Sequence, residues 1–152
     1  MAVKVPKRIV IDLSLHLAAT SFLALLVYSL TKDLRYIWIC ILGGILLDID
    51  HFVDYFIYFK FKFNLDNFFD CRYLESGKTY LIFHSWELVL LNFILAVKTG
   101  SVPVYVFFLS MVIHLLIDNM QRDNLLAYFL LYRIARKFNS DILLPEYKGR
   151  MK

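Results

Sequence analysis

The chain has 152 residues, of which 60% are hydrophobic and 20% charged, with a formal net charge of +4 and a mean hydropathy of +0.61. Soluble domains run near about 45–50% apolar, so these values exclude an ordinary water-soluble globule and point to one membrane domain with clustered charges. Two cysteines, Cys40 and Cys71, make no disulfide framework and are expected to stay reduced.

In chain order, Lys4, Lys7 and Arg8 lead into an apolar run at 9–30. It is too long for a secretory signal and contains Asp12 and His16, so it reads as an uncleaved first span. A charged turn at 31–35 precedes a second run at 36–59, which carries Gly43-Gly44 and then Asp48-Ile49-Asp50-His51-Phe52-Val53-Asp54. The loop 60–78 mixes Phe61, Phe63, Phe68, Phe69 and Tyr73 with charge, and is expected at headgroup level. A third run, 79–97, holds His84-Ser85-Trp86-Glu87. Gly100 and Pro103 punctuate the chain before a fourth run, 102–120, which contains His114 and Asp118. A shorter apolar stretch flows into Arg133, Arg136 and Lys137, which predicts an interfacial helix over about 124–138 lying on anionic headgroups. The tail from 139 onward, with Pro145 and Gly149, reads as loose. The expected fold is all-α: an integral-membrane four-helix bundle with an additional C-terminal interfacial helix.

All 4 histidines lie in apolar runs, each with a carboxylate three or four positions away: Asp12/His16, His51/Asp54, His84/Glu87 and His114/Asp118. At helical periodicity such pairs share a face. The polar groups sit near the starts of the odd runs and in the later parts of the even ones. In an up-down bundle these positions share one side. Ionisable groups at membrane depth are costly and mark function. Of the 17 Lys and Arg, only Lys32, Arg35 and Lys98 fall on the opposite side. The excess of positive charge predicts that both termini and the polar cluster face the cytoplasm, in an inner membrane.

Neutral imidazoles and carboxylates suit zinc, manganese or iron. Asp12, Asp48, Asp50, Asp54, Glu87 and Asp118 have no Lys or Arg beside them within the spans. Two divalent ions would balance them, and two-ion centres clamp the attacking and leaving oxygens of a phosphoryl group. Serine-hydrolase, phosphate-loop and dinucleotide glycine motifs do not occur.

With His16, Gly43-Gly44 leading to Asp48-Ile49-Asp50-His51, then His84-Ser85, then His114 and Asp118, the chain resembles the membrane-bound metal-dependent hydrolases. That group includes the LexA-regulated inner-membrane hydrolase of enteric bacteria. The resemblance spans roughly residues 10–120. The family is distantly similar to zinc-dependent phospholipase C and P1-type nucleases, which implies hydrolysis of a phosphate ester by attack of metal-bound hydroxide. Leu47 stands where members often carry Pro, and no His-Arg pair precedes His84.

The expected metal ligands are His16, Asp48, Asp50, His51, His84, Glu87, His114 and Asp118. Asp54 and Glu87 are candidates for ligand or general base, and Glu87 also for orienting an imidazole. Arg122 follows the fourth run and is read as a phosphate contact or a lipid anchor. Ser85 is read as bonding substrate or its own helix backbone. Expected partners are a membrane lipid or phosphorylated membrane-associated substrate and anionic headgroups, with no nucleic acid. The rival readings are a divalent-cation transporter and a non-catalytic protein that metal holds together. A transport path should be polar throughout, whereas the far halves of these runs are nearly uncharged.

Overall fold

The computed structural model describes residues 5–147, so Lys4, Lys148, Arg150 and Lys152 lie outside the described residues. The architecture is all-helical, with no strand among the described residues. Helix α1 spans Lys7–Thr31, α2 Arg35–Phe59, α3 Leu65–Phe69, α4 Trp86–Thr99, α5 Val102–Met120, α6 Leu130–Ala135 and α7 Ser140–Leu143. Short 3-10 turns cover Arg72–Ser76 and Pro145–Tyr147.

Three of these helices, α1, α2 and α5, are long and apolar enough to cross a membrane. Their ends follow local chemistry. The α1 helix closes at Lys32 in the left-handed region, whose N–H donates to the Tyr28 carbonyl at 2.8 Å. Asp33 then accepts from the Arg35 backbone N–H at 2.9 Å and starts α2. Ser85 caps α4 by accepting from the Leu88 N–H, and Gly100, at φ 59°, ends it. Pro103 sits in the first turn of α5, where a missing N–H is harmless.

Helix α2 packs against both α1 and α5, and α4 lies on α5. Gly43 and Gly44 make the close approaches possible. A Cβ on Gly43 would lie 2.8 Å from the Ser110 Cβ, and one on Gly44 would lie 3.3 Å from the Thr20 hydroxyl. The Ser110 hydroxyl also donates to the Cys40 carbonyl at 2.6 Å, tying α5 to α2. Small residues draw helices together in this way in apolar surroundings, where burial alone does not drive association. Leu23, Ala24, Val27, Cys40 and Val106 form the core at the far end. Leu47, Leu81, Val89, Met111, Leu115 and Tyr128 fill the middle. Tyr55, Tyr73, Leu74, Ala127, Leu143 and Leu144 form the core of a cap made by the segments outside the long helices. Most large apolar side chains of α1 face outward, Leu17 at 70% exposure among them.

Three expectations need correction. The run at 79–97 is not one spanning helix: α4 begins only at Trp86, and residues 79–85 are irregular. Two acids of α2 take up donors of that segment, three of them backbone N–H groups. Asp54 accepts from the Thr79 hydroxyl at 3.0 Å and the Tyr80 N–H at 2.9 Å. Asp50, one turn earlier, accepts from the N–H groups of Phe83 and His84. Second, the stretch 124–138 does not lie out flat as one helix. Only Leu130–Ala135 is helical, and Arg133 turns inward, fully buried, to donate to the carbonyls of Leu81 and His84. Third, residues 139–147 are not loose. They form α7 and a 3-10 turn, with Ser140, Leu143 and Leu144 buried.

Candidate metal centre

Side chains from separate elements converge where α1 enters the bundle and α5 leaves it. The His84 Nε2 lies 3.7 Å from Asp48 Oδ1 and 3.4 Å from Asp118 Oδ2. The His114 Nε2 lies 3.5 Å from the same Asp48 oxygen and 3.4 Å from the same Asp118 oxygen. Imidazole and carboxylate thus alternate around a small ring. Ligand atoms held about 2.0–2.2 Å from a tetrahedral zinc stand roughly 3.3–3.6 Å apart, so the spacing fits a cation. His84 Nε2, His114 Nε2 and Asp118 Oδ2 are buried and have no hydrogen-bond partner. A buried polar atom left unpaired costs on the order of 1–3 kcal/mol, and a divalent ion at the ring centre would satisfy all three.

The other oxygen of Asp118 faces a different imidazole. Its Oδ1 lies 3.1 Å from His16 Nε2, which is also 3.5 Å from Asp12 Oδ1. The rings of His16 and His114 stand 4.1 Å apart, and His16, His114 and Asp118 form a second set with ligand spacing. Gln121 donates to Asp12 at 2.6 Å and holds that acid at the edge of the group. Asp118 therefore presents one oxygen to each of two donor sets, the position a bridging carboxylate occupies.

Several candidate residues lie behind the ring. Asp50 is spent on the backbone of Phe83 and His84, and its Oδ2 lies 3.3 Å from His84 Nδ1. A carboxylate behind a histidine fixes the ring and raises its basicity as a ligand. Asp54 serves the same segment one turn further along. Glu87 is turned away: its two oxygens accept the N–H groups of Leu130 at 2.8 Å and Leu131 at 3.0 Å, at the start of α6. Ser85 is wholly buried and caps its own helix. His51 pairs through Nδ1 with the Tyr73 hydroxyl at 3.0 Å, and its ring lies 5.0 Å from that of His84. Burial pushes the Tyr73 hydroxyl well above the usual tyrosine range, so it stays protonated.

No family model, curated protein or solved structure matches this chain.

Two cavities meet at the centre. One, of about 340 Å³, lies under the cap and is lined by Asp12, Asp48, His51, Tyr73 and Arg122 among apolar and aromatic residues. The other, of about 530 Å³, runs between α1 and α2 and reaches His16, Asp48 and His114. Asp48 belongs to both. Arg122 is neither loose nor out in lipid. Its Nη1 donates to Glu146 at 2.9 Å and its Nε to the Tyr128 hydroxyl at 2.9 Å. Arg133, Tyr73 and Gln121 are the supporting residues that sequence reasoning missed. Arg133 carries the clearest overlooked signal, a lone cation inside an otherwise apolar six-residue helix. Burial draws its guanidinium down to about 10, so it remains cationic at neutral pH.

Proposed function

We propose that the protein is a membrane-embedded, metal-dependent hydrolase of a phosphate ester carried by a lipid or another membrane-associated molecule. The observation that carries this reading is Asp118, whose Oδ2 faces His84 and His114 while its Oδ1 faces His16. In this reading Asp48, His84, His114 and Asp118 hold one divalent ion, zinc by preference, and His16 and Asp118 hold a second with Asp12 beside them. Such ions polarise phosphoryl oxygens and acidify water, so no side-chain nucleophile is required.

The residues of the chain do the rest. Asp50 and Arg133 both grip the segment that carries His84, one through its N–H groups and the other through its carbonyls. Asp54 extends that grip to Thr79 and Tyr80. Tyr73 holds His51 on the wall of the cap cavity. Arg122, fixed by Glu146 and Tyr128, places positive charge on the same wall and suits an anionic headgroup. Arg8, Lys60, Lys62, Arg72 and Lys78 belong to the same end of the molecule as the centre, while Lys32, Arg35 and Lys98 belong to the other. By the positive-inside rule the centre faces the cytoplasm.

The test is metal content by mass spectrometry on protein purified without chelator, with hydrolysis assayed on p-nitrophenyl phosphate, bis-p-nitrophenyl phosphate and phosphatidic acid. The expected result is bound zinc and turnover of at least one ester, both lost in Asp118→Ala. Metal-free protein, or bound metal without hydrolysis of any ester, would overturn the proposal.

A further inference from the structure

The cavity between α1 and α2 differs from the one under the cap. Its walls are Leu17, Leu25, Ile37, Ile41 and Ile45 with a few small residues, and no Lys or Arg lines it. Thr20 and Ser21 are its only hydroxyl groups. Along α1 it extends from Leu13 to Leu25, and along α2 from Ile37 to Asp48. At about 1.5 Å per residue both edges are roughly 16–18 Å long. That is slightly more than half of a hydrocarbon core about 30 Å thick. All of its ionisable groups, His16, Asp48 and His114, gather at one end, and they are the proposed cation ligands.

We propose that this groove receives the hydrocarbon chain of the substrate, with the phosphate seated at the ring of histidines and acids. The inference rests on the hydrolase reading and names the substrate class: an amphiphile with an anionic phosphate and one long alkyl or prenyl chain. Charge complementarity selects the occupant. Once loaded with cations, the polar end would attract an anion, while the remaining walls offer no charge and only the Thr20 and Ser21 hydroxyls to a polar group. The cap cavity shares Leu13 and Asp48 with the groove, and its His51, Tyr73 and Arg122 suit a polar group leaving the phosphate. Chain and polar group then occupy different cavities that meet at Asp48. Each CH₂ moved from water into such a groove contributes about 0.8 kcal/mol. Where the starting point is lipid that gain vanishes, so the groove sets register and orientation and adds little affinity.

The probe is dodecyl phosphate carrying a terminal diazirine, photolysed with zinc-loaded protein in lipid nanodiscs, with adducts mapped by peptide mass spectrometry. Adducts are expected within residues 17–25 and 37–45, suppressed by hexadecyl phosphate and not by dodecanol. Adducts spread over the outer faces of α1, α2 and α5, or insensitive to that competitor, would overturn the inference. So would an unlabelled groove, which is the result if a helix of a second copy fills it. Ser21 lines the groove and is otherwise exposed. Ser21→Trp should therefore fill it without disturbing the core. The ratio of turnover on dodecyl p-nitrophenyl phosphate, whose chain stays on the phosphate as p-nitrophenolate leaves, to turnover on bis-p-nitrophenyl phosphate should drop at least tenfold, and an unchanged ratio refutes the assignment. The two readings fail separately. Labelling of the groove without hydrolysis of any ester removes the enzyme and leaves a lipid site. Hydrolysis of p-nitrophenyl phosphate with scattered labelling removes only the groove.

Discussion

Replacing Arg133 with methionine should both loosen the fold and weaken the metal centre, although Arg133 is not a ligand. The side chain is fully buried and donates to the carbonyls of Leu81 and His84, the latter at 2.9 Å. Hydrogen bonds from a charged donor are worth about 1.5–3 kcal/mol each, so two of them amount to roughly 3–6 kcal/mol. Methionine fills much of the same volume and removes the cost of burying a guanidinium, which returns on the order of 1–2 kcal/mol. The net loss should be about 2–4 kcal/mol, or a fall in melting temperature of roughly 5–15 °C for a chain of this size. Because the freed segment carries His84, zinc affinity should fall about 10–100-fold, as when an outer partner of a metal ligand is lost. Circular dichroism melts in mild detergent and zinc titration against a competing chelator measure the two effects. A melting temperature within 2 °C of the parent with unchanged zinc affinity would refute the idea that Arg133 holds the segment in place.

Chelation should destabilise the parent protein. At free zinc of 100 times the dissociation constant, binding contributes about 2.7 kcal/mol, which a melt with and without EDTA would read directly. Gly43→Ala places a Cβ against Ser110 and should cost about 1–3 kcal/mol by separating α2 from α5, measured in the same melt. Glu87→Gln weakens the cap on α6 by about 0.5–2 kcal/mol and should leave metal stoichiometry intact, because Glu87 bonds Leu130 and Leu131 and not the ring. His114→Ala, in contrast, removes an imidazole common to both donor sets and should lower metal content per chain.

The placing of His16, Asp48, His114 and Asp118 at one end was legible from helical periodicity and the alternating direction of the runs, whereas His84 reaches them from the irregular segment before α4, which no helical period describes. The jobs of the other acids were not legible. A carboxylate in an apolar run looks the same whether it meets a cation or a backbone N–H, and Asp50, Asp54 and Glu87 all meet N–H groups. The long helices α1, α2 and α5 followed from apolar length alone. The start of α4 did not, since the irregular segment before it is held by two acids of α2 and by Arg133, all distant in sequence. Arg133 looked like one more surface cation. Its inward turn depends on two carbonyls distant in sequence, a pairing that no local pattern records.

The late start of α4 also affects the surrounding bilayer. Fourteen residues of helix measure roughly 21 Å, well short of an oily slab about 30 Å deep. A short apolar element beside full-length ones is accommodated by local thinning, so the solvent boundary sags inward along that flank. In a bilayer, such thinning would bring the solvent boundary closer to the α4 flank than to the α1–α2 side. The proposed hydrolase would consume water and take its oily reactant sideways from the lipid, and that asymmetry would serve both needs where a full-length fourth helix would not.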